Sequence, residues 1–358
     1  MTAVLASARL DDLLEIAYAK NATDVHFSPG ALPALRILGA IEMQTGSAPT
    51  EDEVAAIAAE LLTHDERARL DRSGDVTIGR THGNARIRVH VFRSLAGLAI
   101  SIRILSSVAP ALTTLGLPKS IESLTRRSHG FVILTGPTGS GKSTAMAAMV
   151  DAINREQARR IITIEDPIEY IHESRTSCVS QREVNRDVAT FSDAVTGALR
   201  ADPDVLLIGE MRTPETIRAA LSAAETGHLV FTSLHTGDST QTMDRITSSF
   251  DGAAREQVRV SLAQTLLGVV CLRLLPRKDG RGRVAAAEIL FANDAVRNVI
   301  RDGKTHQLRN IIATSRASGM QTLESHLNEM VRAGEVSLAA AQAAGAFALE
   351  ARDAGFCG

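Results

Sequence analysis

Residues 131–144 read FVILTGPTGSGKST: an apolar run breaks into glycines, followed by a lysine and two hydroxyl residues. Gly136 to Ser143 fits the spacing G-x-x-x-x-G-K-[ST]. Phosphate chemistry needs that pattern for a physical reason. Glycine lets the backbone take conformations closed to other residues, so successive N–H groups can converge on one anion. A helix starting after the loop adds its positive end. At this spacing Lys142 reaches the β- and γ-phosphates, and Ser143 offers a hydroxyl to Mg²⁺. Gly136, Pro137, Thr138, Gly139, Ser140, Gly141, Lys142, Ser143 and Thr144 therefore form a candidate loop for a nucleoside triphosphate. The loop names a ligand class and not the use made of its energy.

Three further clusters carry candidate chemistry. Ile161–Tyr170 reads IITIEDPIEY, placing Glu165, Asp166 and Glu169 around Pro167 directly after an apolar strand. Ligands of open α/β sheets bind beyond the carboxyl ends of strands, where a carboxylate can polarise an attacking water or hold it through Mg²⁺. A solvated acidic turn has a similar composition, and the density of acids behind the strand favours function. Asp202–Arg212 reads DPDVLLIGEMR. It resembles a Walker B strand in which Gly209 takes the usual aspartate position and Glu210 supplies the acid. Glu210 can hold a Mg²⁺-bound water or act as a base, and the sequence leaves both roles open. Thr226–Thr236 reads TGHLVFTSLHT, with His228 opening a strand and His235 closing it. A neutral histidine at a strand end can hydrogen-bond a γ-phosphate. Their spacing does not suggest a metal site, and His235, at the carboxyl end, is the better placed of the two.

Continuous apolar runs at Phe131–Leu134, Ile161–Ile164, Val205–Ile208, Leu229–Leu234 and Val269–Leu274 position these groups. Strands covered on both faces read this way, and helical patterns lie between them, so the sequence predicts a mainly parallel, doubly covered α/β sheet. Before it, Asp24–Phe27 and Leu35–Leu38 read as short strands. Thr50 and Glu53 form a capping box ahead of a helix with Val54, Ile57, Leu61 and Leu62 on its apolar face. Arg86–Phe92 and Leu98–Ile104 alternate as a hairpin with one apolar face and one bearing Arg88 and Arg103. Such arginines can complete a neighbour's active site or simply keep a sheet face soluble, and the pattern fits both equally. The basic stretch Arg273–Arg283 reads as a solvated hairpin. Pro110 and Pro118 bracket a linker, giving expected boundaries of 1–107, a linker at 108–118, a nucleotide-binding domain at 119–290 and a helical region at 291–358. Within that last region, helices are expected at Asp294–Arg301, Thr322–Ala333 and Leu338–Glu350.

Composition narrows the function classes. The chain has 358 residues, a net charge of −2, 3% aromatics and no Trp, which gives neither a global pull toward nucleic acid nor an aromatic platform for single strands. Cys178, Cys271 and Cys357 are scattered and form no C-x-x-C pair, which argues against a disulfide framework or a structural zinc and suits a reducing compartment. The N-terminal stretch is amphipathic through Leu10, Leu13, Leu14 and Ala17 and carries early acids, unlike a signal peptide. No apolar run reaches the roughly 18 residues that a membrane span requires.

Taken together, the motifs resemble the secretion ATPase superfamily, and most closely its pilus-retraction branch. The resemblance runs over nearly the whole chain. It includes ATDVHFSPGALPALRILGAI (Ala22–Ile41), RIRVHVF (Arg86–Phe92), the loop at Gly136–Thr144, TIEDPIE (Thr163–Glu169), DPDVLLIGEMR, TGHLVFTSLHT, AVRNVIRDGK (Ala295–Lys304) and GMQTLE (Gly319–Glu324), in that family's order. It implies a homohexameric ATPase whose RecA-like P-loop motor domain follows a smaller α+β, PAS-like N-terminal domain and precedes a helical C-terminal region. ATP with Mg²⁺ would sit between the two domains. Glu165 would be the general base, Glu210 and Ser143 would hold Mg²⁺, His235 would lie near the γ-phosphate, and Arg88 and Arg103 would complete a site. Hydrolysis would drive an inner-membrane platform protein at the pilus base. The chain would then be cytoplasmic, at the inner face of that membrane, attached through its partner alone and without stable nucleic-acid binding. Some positions depart from the pattern. Thr213 stands where aspartate is common and Ser233 where threonine is common, and the four-cysteine zinc insertion of assembly ATPases has no counterpart. A retraction accessory ATPase and a type IVB secretion or conjugation ATPase are the alternative readings, with a RecA-type nucleic-acid motor further off.

Overall fold

The computed structural model describes residues 2–37, 39–83, 85–105 and 108–345, with side chains from Leu10 onward. Leu38, the end of the expected helix at residues 346–350, and Cys357 lie outside the described residues. The chain forms two compact units. The first holds the residues up to Val108 together with Asp166–Ile171, and the second holds Ala109–Glu165 and the chain from His172 onward.

In the first unit, six strands among the described residues form one sheet: β1 (Asp24–Ser28), β2 (Ala31–Ile37), β3 (Ala40–Met43), β4 (Asp75–His82), β5 (Ala85–Ser94) and β6 (Gly97–Leu105). Their order is β3-β2-β1-β6-β5-β4, with every neighbouring pair antiparallel. The expected hairpin is β5–β6. Ile87, Val89, Val91, Ile100 and Ile102 are buried from it against Leu14, Val54 and Ile57 of the covering helices. The helix Glu51–Leu61 opens on the expected Thr50–Glu53 capping box. A second box, Thr63 with Glu66, starts a helix at His64–Ser73 that the hydrophobic pattern does not reveal, and Gly74 at φ 83° ends it.

The second unit is built on a seven-stranded sheet of β7 (Gly130–Thr135), β8 (Arg160–Glu165), β9 (Cys178–Glu183), β10 (Val205–Ile208), β11 (Leu229–Leu234), β12 (Leu266–Pro276) and β13 (Arg283–Phe291). The order is β13-β12-β7-β11-β10-β8-β9, parallel except for the β12–β13 hairpin. The apolar runs are continuous because alternate residues serve two cores. Phe131, Ile133, Ile162, Ile164, Leu206 and Ile208 pack on one face with helices such as Pro214–Glu225. Val132, Leu134, Ile161, Val205 and Leu207 pack on the other with the helix Lys142–Glu156. Strands β9 and β13 add to the expected five. The basic stretch Arg273–Arg283 comprises the end of β12, an exposed turn and the first residue of β13. Helices at Asp294–Asp302, Leu323–Arg332 and Leu338–Ala343 follow, within a residue or two of expectation at their starts. Leu327 and Met330 pack on Leu275, Val284 and Ala286 of the hairpin.

Candidate active site

The parallel strands β7, β11, β10 and β8 stand side by side, so their carboxyl ends bring three of the four clusters and part of the fourth to one edge. Gly136 leaves β7 at φ 140°, and a Cβ there would meet the Leu272 carbonyl oxygen at 2.4 Å, so the close approach of two backbones requires glycine. Gly141, at φ 92°, caps the helix Lys142–Glu156 with no side-chain hydrogen bond. Several other helices of the unit begin on side-chain caps, among them those at Thr190, Thr213, Asp238 and Asn293. The Ser140 hydroxyl is buried in the loop without a hydrogen-bond partner. A helix start without a side-chain cap, an unsatisfied buried hydroxyl and a buried lysine fit an anion of phosphate type.

Lys142 Nζ donates to the carbonyls of Gly136 (2.8 Å) and Pro137 (3.0 Å) and lies 3.3 Å from His235 Nδ1. Its charge is thus held inside the loop it serves. An ammonium can only donate, so His235 Nδ1 is the acceptor and Nε2 carries the proton. Nε2 lies 3.7 Å from Glu210 Oε2, and Arg212 Nε donates to the same carboxylate at 2.8 Å. Burial lowers the His235 pKa below the ordinary histidine value, with the Lys142 charge adding to the shift and Glu210 opposing it. The shift favours the neutral imidazole, whose Nε2–H can still be donated to a phosphate oxygen.

Backbone and hydroxyl stitches fix His235 in place. Thr135, the last residue of β7, donates from Oγ1 to the Thr236 carbonyl (2.9 Å) and accepts from the Thr236 N–H (3.0 Å). The buried Glu288 of β13 accepts from the N–H (2.9 Å) and the hydroxyl (2.7 Å) of Ser239, and Arg273 donates to the Gly237 carbonyl at 3.0 Å. The bracing by Thr135, Thr236 and Glu288 is not exposed by the sequence pattern, since single hydroxyls and a carboxylate in an alanine-rich strand give no spacing signal. His228 is structural: its ring hydrogen-bonds the Ala223 carbonyl at 2.8 Å.

Glu165 ends β8, beside Gly209, whose N–H donates to the Ile164 carbonyl at 2.8 Å. Its Oε1 accepts from Thr163 Oγ1 (2.7 Å) and Gln181 Nε2 (3.2 Å). The acidic cluster divides at this point, because Asp166–Ile171 packs with the first unit. There Glu169 is ion-paired with Arg88, and Arg86 Nε donates to the Ile168 carbonyl at 2.9 Å. Arg103 Nε donates to Asp24 Oδ1 at 2.8 Å, with half of its side chain exposed. Lys142, Glu210 and His235 are therefore joined by direct contacts, Glu165 sits on the neighbouring strand end, and Arg88 and Arg103 belong to the other unit.

The model of the type II/IV secretion system protein family matches residues 4–343. The chain belongs to this family. A twitching motility protein of Neisseria gonorrhoeae, also similar, is 42% identical over 311 residues, 87% of this chain and 83% of its own. The type IV pilus retraction ATPase PilT of Pseudomonas aeruginosa is 39% identical over 329 residues, 92% and 95% of the two chains. A solved structure of the pilus retraction motor PilT with bound ADP aligns with a TM-score of 0.85 at 40% identity, covering 93% of this chain and 96% of that one. The mixed α/β architecture is thus that of the secretion ATPases. Against the family pattern, the two substituted positions keep their local chemistry. Thr213 caps the next helix by accepting from the Thr216 N–H at 3.4 Å, as an aspartate would. The Ser233 hydroxyl donates to the Gly209 carbonyl at 2.6 Å, as a threonine could. Among the described residues, no helix is long and apolar enough to cross a membrane.

Proposed function

We propose that this ATPase is the motor that powers type IV pilus retraction and twitching motility. The observation that carries the reading is its near-full-length likeness to a PilT retraction ATPase and a twitching motility protein, at 39% and 42% identity. In this reading residues 119–290 are a RecA-like P-loop motor domain. Residues 1–107 form a PAS-like domain joined to it by the linker at 108–118, and residues 291–358 form a helical region. The chain works as a homohexamer at the cytoplasmic face of the inner membrane, where it moves a platform protein without stable nucleic-acid binding.

ATP is the substrate, and the loop Gly136–Thr144 binds its phosphates. The neighbour structure with ADP supports nucleotide binding in this fold. Mg²⁺ is commonly held by one or two protein oxygens, phosphates and water, and Ser143 with Glu210 suits that role; the ion would neutralise charge developing on the phosphates. Lys142 stabilises the same charge from the loop, and neutral His235 offers its Nε2–H. Glu165 takes the proton of the attacking water. Arg88 and Arg103, from a neighbouring subunit, complete the site, and loss of the γ-phosphate releases the clamp.

Deletion in the native host tests the reading. Cells should carry many static pili and lose surface spreading; normal spreading with normal pilus number would overturn it. Normal pili with lost DNA or protein transfer would instead favour the secretion alternative. The role of Arg103 has its own test. An arginine supplied in trans contributes roughly 10³–10⁵ in kcat, so Arg103→Ala should silence the assembled ring. Mixing it with Lys142→Ala subunits should then restore hydrolysis, because each supplies the half-site that the other lacks. No recovery in verified mixed rings would refute action in trans.

A further inference from the structure

Gln181, in β9, has a side-chain amide with two different jobs. Its Oε1 accepts from the His172 N–H at 2.8 Å, and its Nε2 donates to Glu165 Oε1 at 3.2 Å. The orientation follows from chemistry, since a backbone N–H can only donate and a carboxylate can only accept. The parallel register places Gln181 beside Thr163 and Glu183 beside Glu165, so these four residues share one face of the β8–β9 pair. Glu165 therefore has a second acid as its register neighbour. Glu183 is buried and has Arg186 at 3.6 Å. Like charges placed opposite one another on a sheet repel, and a neutral donor beside Glu165 holds its carboxylate in one rotamer against that repulsion. His172 is also where the chain re-enters the second unit, five residues after Pro167. The loop that follows is held by Asn154, whose Nδ2 donates to the Glu173 carbonyl (2.7 Å) and whose Oδ1 accepts from the Arg175 N–H (3.1 Å).

We infer that Gln181 is a positioning residue for hydrolysis: its amide aims the Glu165 carboxylate at the attacking water while tying that carboxylate to the re-entry point at His172. The inference rests on the reading of Glu165 as the general base. It assigns Gln181 no contact with ATP.

Gln181→Glu separates the two jobs in the full-length ATPase. It keeps an acceptor for the His172 N–H and replaces the donor to Glu165 with a third carboxylate. Gln181→Leu removes both contacts. Expected for Gln181→Glu is a fall of roughly 10–100-fold in kcat, with KM for ATP within about twofold of the parent. Gln181→Leu should show a similar loss in kcat and a lower unfolding temperature. A structural tie alone would leave Gln181→Glu at parental kcat, and that result overturns the inference, as does a change confined to KM. If Gln181→Glu does not fold, the kcat of Gln181→Leu decides: a parental value overturns the positioning role, and a fall at unchanged KM supports it. Glu165→Gln, measured alongside, distinguishes the failures. Parental turnover there removes the base assignment and the inference with it. A defective Glu165→Gln beside a parental Gln181→Glu removes the positioning role alone.

Discussion

Lys142→Ala is expected to abolish Mg²⁺-dependent ATP hydrolysis while leaving the fold intact. The ammonium bonds to the Gly136 and Pro137 carbonyls and touches His235, so its charge sits where the loop, the helix start and the His235 strand end meet. Removing a preorganised donor from a phosphate or oxyanion site costs about 10²–10³ in rate, roughly 2.7–4 kcal/mol of barrier. The lysine also anchors the bound phosphates, so nucleotide affinity should fall with kcat. The sheet beneath is held by two apolar cores that do not include the Lys142 head group, so unfolding should remain cooperative. His235 should also respond. Loss of the neighbouring positive charge removes one of the causes that lower its pKa, so its titration should move toward the ordinary histidine value, though burial still opposes it. Turnover near the parental rate would remove the loop from the active site.

Glu165→Gln is the second large effect. The substitution is close to isosteric, and the new amide oxygen can still accept from Thr163 and Gln181. What disappears is the basicity. General-base catalysis contributes typically about 10²–10⁴ in rate. The variant should therefore bind ATP with near-parental KM and lose kcat on that scale, the pattern of an interaction made only in the transition state. A parental kcat would pass the role to the other carboxylate at this edge. Glu210, also assigned to Mg²⁺, would then have to serve as the base, with Glu210→Gln losing kcat.

The legibility of the sequence varied with the physics behind each element. The five core strands could be read because burial on both faces leaves few polar positions, as in Phe131–Leu134 and Val205–Ile208. β9 was illegible for the opposite reason. It lies at the sheet edge, its CVSQRE sequence is mostly half-exposed, and it has no alternating apolar set. β13 is buried but rich in alanine, which carries little strand signal. The helix His64–Ser73 buries only Leu70 among its apolar residues, so periodicity was silent and only its capping box marked it. At the site, the loop, Glu210 and His235 were legible because each follows an apolar strand at a fixed offset. The split of the acidic cluster was not, because the packing of Asp166–Ile171 with the first unit and the Arg88–Glu169 pair depend on contacts about 80 residues apart. Gln181 was missed for the same reason as β9: its role exists only once the two strands are paired.

Complementation of the deletion strain, scored by direct observation of individual pili, joins the nucleotide chemistry to the mechanical output. The wild-type chain should restore retraction, and Lys142→Ala, expressed at the same level and assembled to the same extent, should leave pili extended and static. Retraction at parental frequency with Lys142→Ala as the only copy would contradict a motor driven by hydrolysis at this loop.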